Sequence, residues 1–288
     1  MRDRDVTVTS DRRVIRKLAR HAAGLGRSAK NALYEVFHEN TKLGRYGGRT
    51  YATWLATMSR SHTARQAFAT VVHQGQAYKA YSSMDTRALP RVEARTELEQ
   101  TIAARRSVRA FSGAPVSLDE LARLLFFTYG RTDPGGSFRA VASGGALYPL
   151  ELYVIALRID DLDAGVYHYA VETGDLDVLK PGHHLAALKD LVYWQGIDID
   201  RAALAIVVTA SFRRNTIKYL DRGYRMVLME AGEAAQNLSL AATSMDLGTC
   251  FMGGFNDDLL SEFLEIDGVD EAPLLPVLVG RRATTAGD

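Results

Sequence analysis

The stretch S-G-G-A-L-Y-P-L-E-L-Y, from Ser143 to Tyr153, decides how the rest of this sequence is interpreted. Ser143, Gly144 and Gly145 leave the backbone almost bare of side chains, so a flat ligand could lie close to it. The apolar run that follows, Leu152 to Leu157, is typical of a buried strand. The stretch therefore indicates either a ligand-contacting loop or a tight turn that leads into the strand.

Helices can be placed on both sides of this stretch. Thr96 and Ser117 are each followed three residues later by Glu, which is the capping-box pattern that satisfies free amides at a helix start. From Tyr224 to Met245, small and apolar residues recur at helical spacing. We therefore expect two capped helices before the stretch and one long core helix after it.

Short apolar runs with β-branched residues predict further strands. One covers Leu204 to Ser211. Gly165 to Tyr169 and Leu176 to Leu179 have the spacing of a hairpin. Leu274 to Val279 reads as a last strand, and Pro276 favours an edge position for it because proline lacks an amide donor.

Composition excludes several classes of protein. Lys and Arg total 35 against 34 Asp and Glu, so the net charge of +1 gives no reason to expect a nucleic-acid partner. The single cysteine, Cys250, excludes an internal disulfide and any metal site with two thiolates, and we expect it to be a small buried side chain. The histidines lack metal-ligand spacing, so no metal is expected. No apolar run approaches the roughly 20 residues of a membrane span, and we expect a cytoplasmic protein.

Two further motifs could bind a ligand, although the common phosphate-binding glycine loops are absent. The run R-R-S-V-R places Arg105, Ser107 and Arg109 together, which suits a phosphate but also suits an ordinary solvated helix end. After the long helix, Gly253 and Gly254 permit backbone amides to approach a ligand. Gly248, shortly before them, is typical of a helix C-cap.

The order of these motifs resembles the nitroreductase superfamily. More narrowly, it resembles the SagB-type or McbC-like azoline dehydrogenases, which act in pathways to thiazole- and oxazole-modified peptides. The resemblance covers roughly Thr96 to Arg282, and the stretch that begins at Ser143 is its most specific part. Upstream, Phe37 to Lys42 is similar to the F/Y-H-E-x-[ST]-K segment of this branch.

The resemblance implies a fold and an assembly. The expected fold is α+β, nitroreductase-like, with a central, mainly antiparallel sheet flanked by helices, in a domain-exchanged homodimer. Residues 1–90 would be the helical N-terminal region of the SagB-type branch, and residues 91–288 the FMN-binding catalytic domain.

The resemblance also assigns residues to FMN. Arg105, Ser107 and Arg109 would hold its phosphate and ribityl chain, with Arg282 as a further cation. The residues that would lie beside the flavin ring, or direct amides toward its N5 and O4 edge, are Ser143, Gly144, Gly145, Gly253 and Gly254.

The segment K-Y-x-x-R-G-Y-R, which begins at Lys218, resembles the Lys-Tyr segment of azoline dehydrogenases. To aromatise an azoline, a ring carbon must lose a proton as well as a neighbouring hydride, and a flavin accepts only the hydride. We assign Tyr219 as the base and Lys218 as its activator or an alternative proton carrier. Adjacent side chains can face one site in a loop but not in a strand. The residues alone favour a basic surface loop for the pair, among Arg213, Arg214 and Arg222, and the assignment depends on the resemblance.

The expected function is oxidation of azolines in a ribosomal precursor peptide, with oxygen reoxidising the flavin. A cyclodehydratase partner would make the azoline. One alternative is a nitroreductase or quinone reductase, in which NAD(P)H reduces the flavin and no protein base is needed. Another is a scaffold without activity that holds a peptide-modifying complex together.

Overall fold

The computed structural model describes residues 32–44, 53, 61–64, 66, 78–79, 81–133, 135–136, 138–193 and 196–283. Most of the predicted helical region, 1–90, lies outside these residues, and its described part contains helix α1 (Leu33–Thr41). By its internal contacts the chain forms two compact units, of which the second begins at Lys42 and contains all the elements below. The domain boundary near residue 90 stays a prediction.

The two helix starts follow their predicted capping boxes. Helix α2 (Glu97–Ala104) begins after Thr96, whose hydroxyl accepts a hydrogen bond from the backbone amide three residues later. Helix α3 (Leu118–Tyr129) begins after Ser117 with the same reciprocal arrangement. Its inward face is fully apolar apart from one threonine and one tyrosine. Both predicted helices are confirmed, because capping is a local interaction that the sequence shows directly.

The described strands form one six-stranded antiparallel sheet in the order β3-β2-β1-β4-β6-β5. Their bounds are β1 (Leu150–Ala156), β2 (Gly165–Ala170), β3 (Asp175–Pro181), β4 (Leu204–Ser211), β5 (Leu247–Phe251) and β6 (Glu271–Arg281). Strands β1 and β4 are buried at almost every residue, which agrees with their continuous apolar sequence. The predicted hairpin is β2–β3, and the expected central antiparallel sheet is confirmed.

The expectation that Pro276 marks an edge strand is wrong. Strand β6 lies inside the sheet, between β4 and β5. The Pro276 carbonyl accepts from the Met252 amide at 2.9 Å. In an antiparallel strand the N–H and C=O of one residue face the same side, so the donor that proline lacks would also face Met252. Since β5 ends at Phe251, no bond within the β5–β6 ladder is lost there.

Two helices follow β4 without a break in the chain. Helix α5 (Phe212–Tyr219) and helix α6 (Asp221–Ser244) are separated by Leu220 alone, which has a φ of 52°. Helix α6 is the predicted long helix, and it begins three residues earlier than expected. Its 24 residues extend about 36 Å along the sheet.

Shorter helices complete the described part of the chain. They are α4 (Leu185–Leu191), before β4, and α7 (Asp257–Phe263), between β5 and β6. No helix among the described residues is both long enough and apolar enough to cross a membrane.

Candidate active site

Lys218 and Tyr219, the last two residues of α5, converge with Gly145. A Cβ atom placed on Gly145 would lie 2.6 Å from Tyr219 Oη and 2.8 Å from Lys218 Nζ. Gly145 also has a φ of 70°, a conformation that favours glycine. The Lys218 ammonium and the Tyr219 phenol oxygen thus both lie against the backbone of Gly145, which stands 73 residues before the lysine in the sequence.

The pair lies at the end of a helix and not in a loop. The expectation of a loop is therefore wrong, although both side chains still reach one place because the last helical turn faces Gly145. Lys218 Nζ lies 5.1 Å from the centre of the Tyr219 ring. Tyr219 is half-buried and Lys218 is exposed. The pair therefore combines a half-buried phenol with an ammonium that contacts solvent.

The loop that carries Gly145 has an unusual backbone. Gly144–Ala146 forms a short 3-10 turn, in which the Ala146 amide donates to the Ser143 carbonyl at 3.0 Å. Ala146 and Tyr148 both have positive φ, 54° and 45°. For residues other than glycine, a positive φ costs about 1–3 kcal/mol per residue, and it persists where the neighbouring structure enforces it. We call Ser143, Gly144, Gly145, Lys218 and Tyr219 the dyad site.

The predicted phosphate residues lie along the outer side of β5. Arg105 is the C-terminal cap of α2, Ser107 forms a bridge with Thr249 of β5, and the Arg109 carbonyl accepts from a loop amide. Within the described residues, the Arg105 and Arg109 guanidinium groups form no ion pair. The neighbouring Arg106, by contrast, donates to two backbone carbonyls. A half-buried and an exposed cation beside an exposed hydroxyl are what an anion would require.

The remaining predicted residues also lie along β5. Arg282 follows β6 and donates to the Leu247 carbonyl at 3.4 Å. Gly253 and Gly254 follow the end of β5, and Gly253 has open space where a side chain would stand. We call Arg105, Ser107, Arg109, Gly253, Gly254 and Arg282 the β5 edge.

The expectation that Gly248 caps the long helix is wrong. Helix α6 ends at Ser244, and Gly248 lies inside β5. A Cβ atom there would lie 2.6 Å from the Val108 side chain. Gly248 therefore allows the Arg105–Arg109 segment to pack closely against β5, which fixes the place of the arginines.

The dyad site and the β5 edge of one chain lie far apart. Gly144 is close to Met226 of α6, and Thr249 of β5 contacts Ser239 of the same helix. These two α6 positions are separated by 13 residues, or about 20 Å of helix. In addition, β1 and β5 are three strand spacings apart in the sheet, or about 14 Å. Within one chain, the dyad site and the β5 edge are therefore two separate groups of residues, which we call the two halves of the candidate site.

Comparison with known proteins identifies the chain. The model of the Nitroreductase family matches residues 102–281, well over half of the sequence. The chain belongs to the nitroreductase family. This family match includes all the residues of the dyad site and all but one of the β5 edge, since Arg282 lies just beyond it. Proteins of the family typically bind a flavin and are oxidoreductases.

Two relatives extend this result. A protein of Methanocaldococcus jannaschii that carries the provisional name of a nitroreductase is 41% identical, and the match covers 67% of this chain and 95% of the relative. The microcin B17-processing protein McbC of Escherichia coli is 30% identical over 57% of this chain and 62% of McbC. The chain thus matches less than two thirds of the length of McbC.

One solved structure shows the same fold. The E. coli microcin synthetase McbBCD complex with truncated pro-MccB17 bound contains a chain that aligns with a TM-score of 0.59. The identity is 23%, and the alignment covers 75% of this family member and 82% of that chain. The nitroreductase-like fold expected from the sequence is therefore confirmed.

The sequence-based predictions missed one residue that contacts the dyad site, Glu230. Glu230 of α6 is only 2% exposed and accepts hydrogen bonds from Ser143 Oγ and Tyr129 Oη, both at 2.6 Å. Burial is the largest cause that raises the pKa of Glu230. A sequence signal for Glu230 did exist, because this carboxylate stands three residues after Val227, within the helical stripe of small and apolar residues.

Two side observations concern other predicted features. Cys250 is buried in the core, as expected, and burial raises the pKa of its thiol. A buried thiol with a raised pKa is a poor nucleophile. Across the described ranges, no group of three or more His, Cys, Asp or Glu residues is arranged to hold a metal ion.

Proposed function

We propose that this chain is an FMN-dependent dehydrogenase that oxidises thiazoline and oxazoline rings of a precursor peptide to thiazoles and oxazoles. The observation that carries the proposal is the convergence of Tyr219 Oη and Lys218 Nζ over Gly145. Reactions that only transfer a hydride need no protein base, whereas aromatisation of an azoline does. The similarity to McbC, a microcin-processing protein, supports a peptide substrate.

The β5 edge suits FMN. The guanidinium groups of Arg105 and Arg109, which form no ion pair with the part of the chain that the structure describes, would bind the phosphate dianion together with the Ser107 hydroxyl by charge-assisted hydrogen bonds. The open space at Gly253 would admit a flat ring against the backbone. The chemistry that FMN supplies when bound is acceptance of a hydride, whose electrons then pass to molecular oxygen.

The dyad site would move the proton. The C–H bond of one azoline carbon would break and its proton would go to the Tyr219 oxygen, and the C–H bond of the neighbouring carbon would supply the hydride that bound FMN accepts. The Lys218 ammonium, held close to the same point, stabilises negative charge on that oxygen before the proton arrives. Because Lys218 is exposed, it can also pass a proton to water and reset the site.

A homodimer would join the two halves of the site. The β5 edge and the dyad site of one chain are separated by about 20 Å along α6, so each site is more readily completed by two copies. The described surface also has large apolar side chains exposed on two helices, Phe126 and Phe127 of α3 and Leu228 and Met229 of α6. Large apolar side chains exposed in clusters are typical of interaction surfaces. We propose that this surface pairs two copies.

The azoline itself must come from another reaction. A ring-closing dehydration of a peptide Cys, Ser or Thr residue produces it, so a cyclodehydratase is the expected partner. The experiment that tests the function is mass spectrometry of an azoline peptide after incubation with the FMN-loaded protein in air. We expect a loss of about 2 Da per ring, the mass of two hydrogen atoms.

A second candidate is an NAD(P)H-dependent nitroreductase or quinone reductase, favoured by the name of the 41% identical relative. The same preparation separates the two functions. Rapid bleaching of the flavin by NADPH, together with an unchanged azoline peptide, would support the reductase and contradict the dehydrogenase.

A further inference from the structure

Glu230 is a buried acidic side chain that the proposed proton transfer does not use. Its carboxylate accepts from Tyr129 Oη of α3 and from Ser143 Oγ of the dyad site. A buried carboxylate is tolerated only where hydrogen bonds or charges compensate for lost hydration. Burial raises the pKa of Glu230, and the two hydroxyl donors oppose that rise. Because burying this carboxylate costs free energy, we expect Glu230 to have a specific role in the structure.

The two hydroxyl groups that donate to Glu230 also accept hydrogen bonds from backbone amides of one loop. Ser143 Oγ accepts in turn from the Tyr148 amide at 2.9 Å. Tyr129 Oη accepts from the Leu150 amide at 3.1 Å, at the first residue of β1. A single carboxylate thus holds the segment from Ser143 to Leu150 at both ends.

That segment is the one with the strained backbone. Ala146 and Tyr148 have φ values of 54° and 45°. Gly145, which precedes Ala146, lies against the side chains of Lys218 and Tyr219. Positive φ in residues with side chains persists only where the surroundings over-determine the backbone. The hydrogen bonds that begin at Glu230 provide such a constraint.

A cation completes the arrangement. The Arg139 guanidinium lies between the Tyr129 and Tyr148 rings, 4.6 Å and 4.8 Å from their centres. Its charge also opposes the rise in the pKa of Glu230. The carboxylate, both rings and the loop are therefore linked in one cluster, and the loop has few alternative positions.

We propose that Glu230 is a positioning residue, whose buried carboxylate holds the Ser143–Leu150 loop so that Gly145 meets Tyr219 Oη and Lys218 Nζ. The inference concerns the free protein, and only its consequence for turnover rests on the proposed function. A residue that merely stabilised the fold would loosen the whole domain when replaced. A positioning residue loosens the loop selectively.

Hydrogen exchange in the free protein separates these two roles. In Glu230→Gln we expect the Ala146 and Tyr148 amides to exchange about tenfold faster or more, since a hydrogen bond to a charged group is replaced by a weaker one. The amides of β4 should keep their wild-type rates. The matched control is Val227→Ala, which removes buried methyl groups from the same helix, one turn away. It should change loop and β4 exchange in parallel.

A second variant keeps the inference testable if Glu230→Gln does not fold. Ser143→Ala removes one of the two bonds without altering the buried carboxylate, and it should speed exchange of the Ala146 amide, whose own partner is the Ser143 carbonyl and not the hydroxyl, by a similar factor. If either folded variant left loop exchange unchanged, or raised it only in step with β4, Glu230 would be a stabilising residue and the inference would be overturned.

Turnover then links the loop to the dyad. With FMN occupancy matched, Glu230→Gln should lower kcat about tenfold with little change in KM, and Glu230→Gln combined with Ser143→Ala should be no slower than the slower single variant. A loosened loop with wild-type kcat would contradict the positioning role. If the wild-type protein oxidised no azoline, the proposed function would fail, while the exchange measurements would still decide whether Glu230 holds the loop.

Discussion

The dyad site and the β5 edge differ in how their polar groups are supported. At the dyad site, the loop that carries Gly145 is held by hydrogen bonds inside the chain that run from the Tyr148 amide through Ser143 to the buried Glu230. At the β5 edge, Arg105 is half-buried and Arg109 is exposed, and their guanidinium groups form no ion pair within the described residues. The first half is organised in advance, as proton transfer requires, whereas the second offers charges for an anionic ligand to organise.

The largest effect should come from the phenol oxygen of the dyad site. Tyr219→Phe keeps the ring but removes the proposed base, so we expect turnover of an azoline peptide to fall about 10²-fold or more. FMN binding should stay near its wild-type value because the change lies outside the β5 edge. Turnover and flavin absorbance measured on the same preparation check both statements. Near wild-type turnover would remove Tyr219 from the mechanism.

The second effect concerns the β5 edge. Arg105→Ala should weaken FMN binding about 10- to 100-fold, since a hydrogen bond between charged groups is worth about 1.5–3 kcal/mol. The matched control is Arg106→Ala, whose guanidinium already donates to the Ala103 and Arg105 carbonyls. It should bind FMN almost as wild type. Fluorescence titration of the stripped proteins measures both affinities, and equal losses in the two variants would contradict the phosphate assignment.

The third effect tests the close contact at the dyad site. Gly145→Ala introduces a Cβ 2.6 Å from Tyr219 Oη, and we expect turnover to fall about tenfold as the phenol is displaced. Gly174→Ala is the control, because Gly174 also has a positive φ, 82°, but nothing within 4 Å of the added atom. Both variants should lose about 1 kcal/mol of stability from backbone strain. If Gly174→Ala lost as much turnover, strain alone would explain the result.

The smallest effect is a pH dependence of stability near the dyad site. His168 lies between Glu151 and Asp177, and the hydrogen bond to Glu151 is the largest cause that raises the pKa of His168. Glu151 also pairs with Arg214, which donates to the Tyr148 carbonyl. The stabilisation is fully present below the unfolded pKa of about 6.5 and is lost as pH rises through the higher folded value.

Denaturant unfolding of His168→Gln measures this contribution. We expect the variant to be less stable than wild type at pH 5.5, by no more than about 1 kcal/mol because the groups are partly exposed. The difference should shrink at pH 9. A difference that grew with pH would reverse the sign of the assigned interaction.

Local patterns predicted most of the fold. Capping boxes placed α2 and α3, and apolar runs placed β1 and β4, because both signals depend on residues only a few positions apart. The place of Pro276 was predicted wrongly since it depends on where the neighbouring strand β5 ends. A tertiary relation of that kind is absent from the proline's own surroundings in the sequence.

The site was less predictable than the fold. The residues of both halves were found by resemblance, but not their separation, which follows from strand order. Glu230 was missed because its partners, Tyr129 and Ser143, are 101 and 87 residues away in the sequence. Only the folded chain shows that an acidic residue of α6 holds the loop that contacts Tyr219.

Subunit complementation tests most directly whether the two halves work together across two copies. Arg105→Ala and Tyr219→Phe chains, each with a different affinity tag, would be co-expressed and the mixed dimer isolated through both tags. If each site takes its β5 edge from one copy and its dyad from the other, the mixed dimer has one site with both defects and one intact site. We expect about half of the wild-type turnover. Turnover is measured at an FMN concentration that fills wild-type sites but leaves Arg105→Ala sites largely empty, and a mixed dimer no more active than its parents under that condition would contradict the shared site.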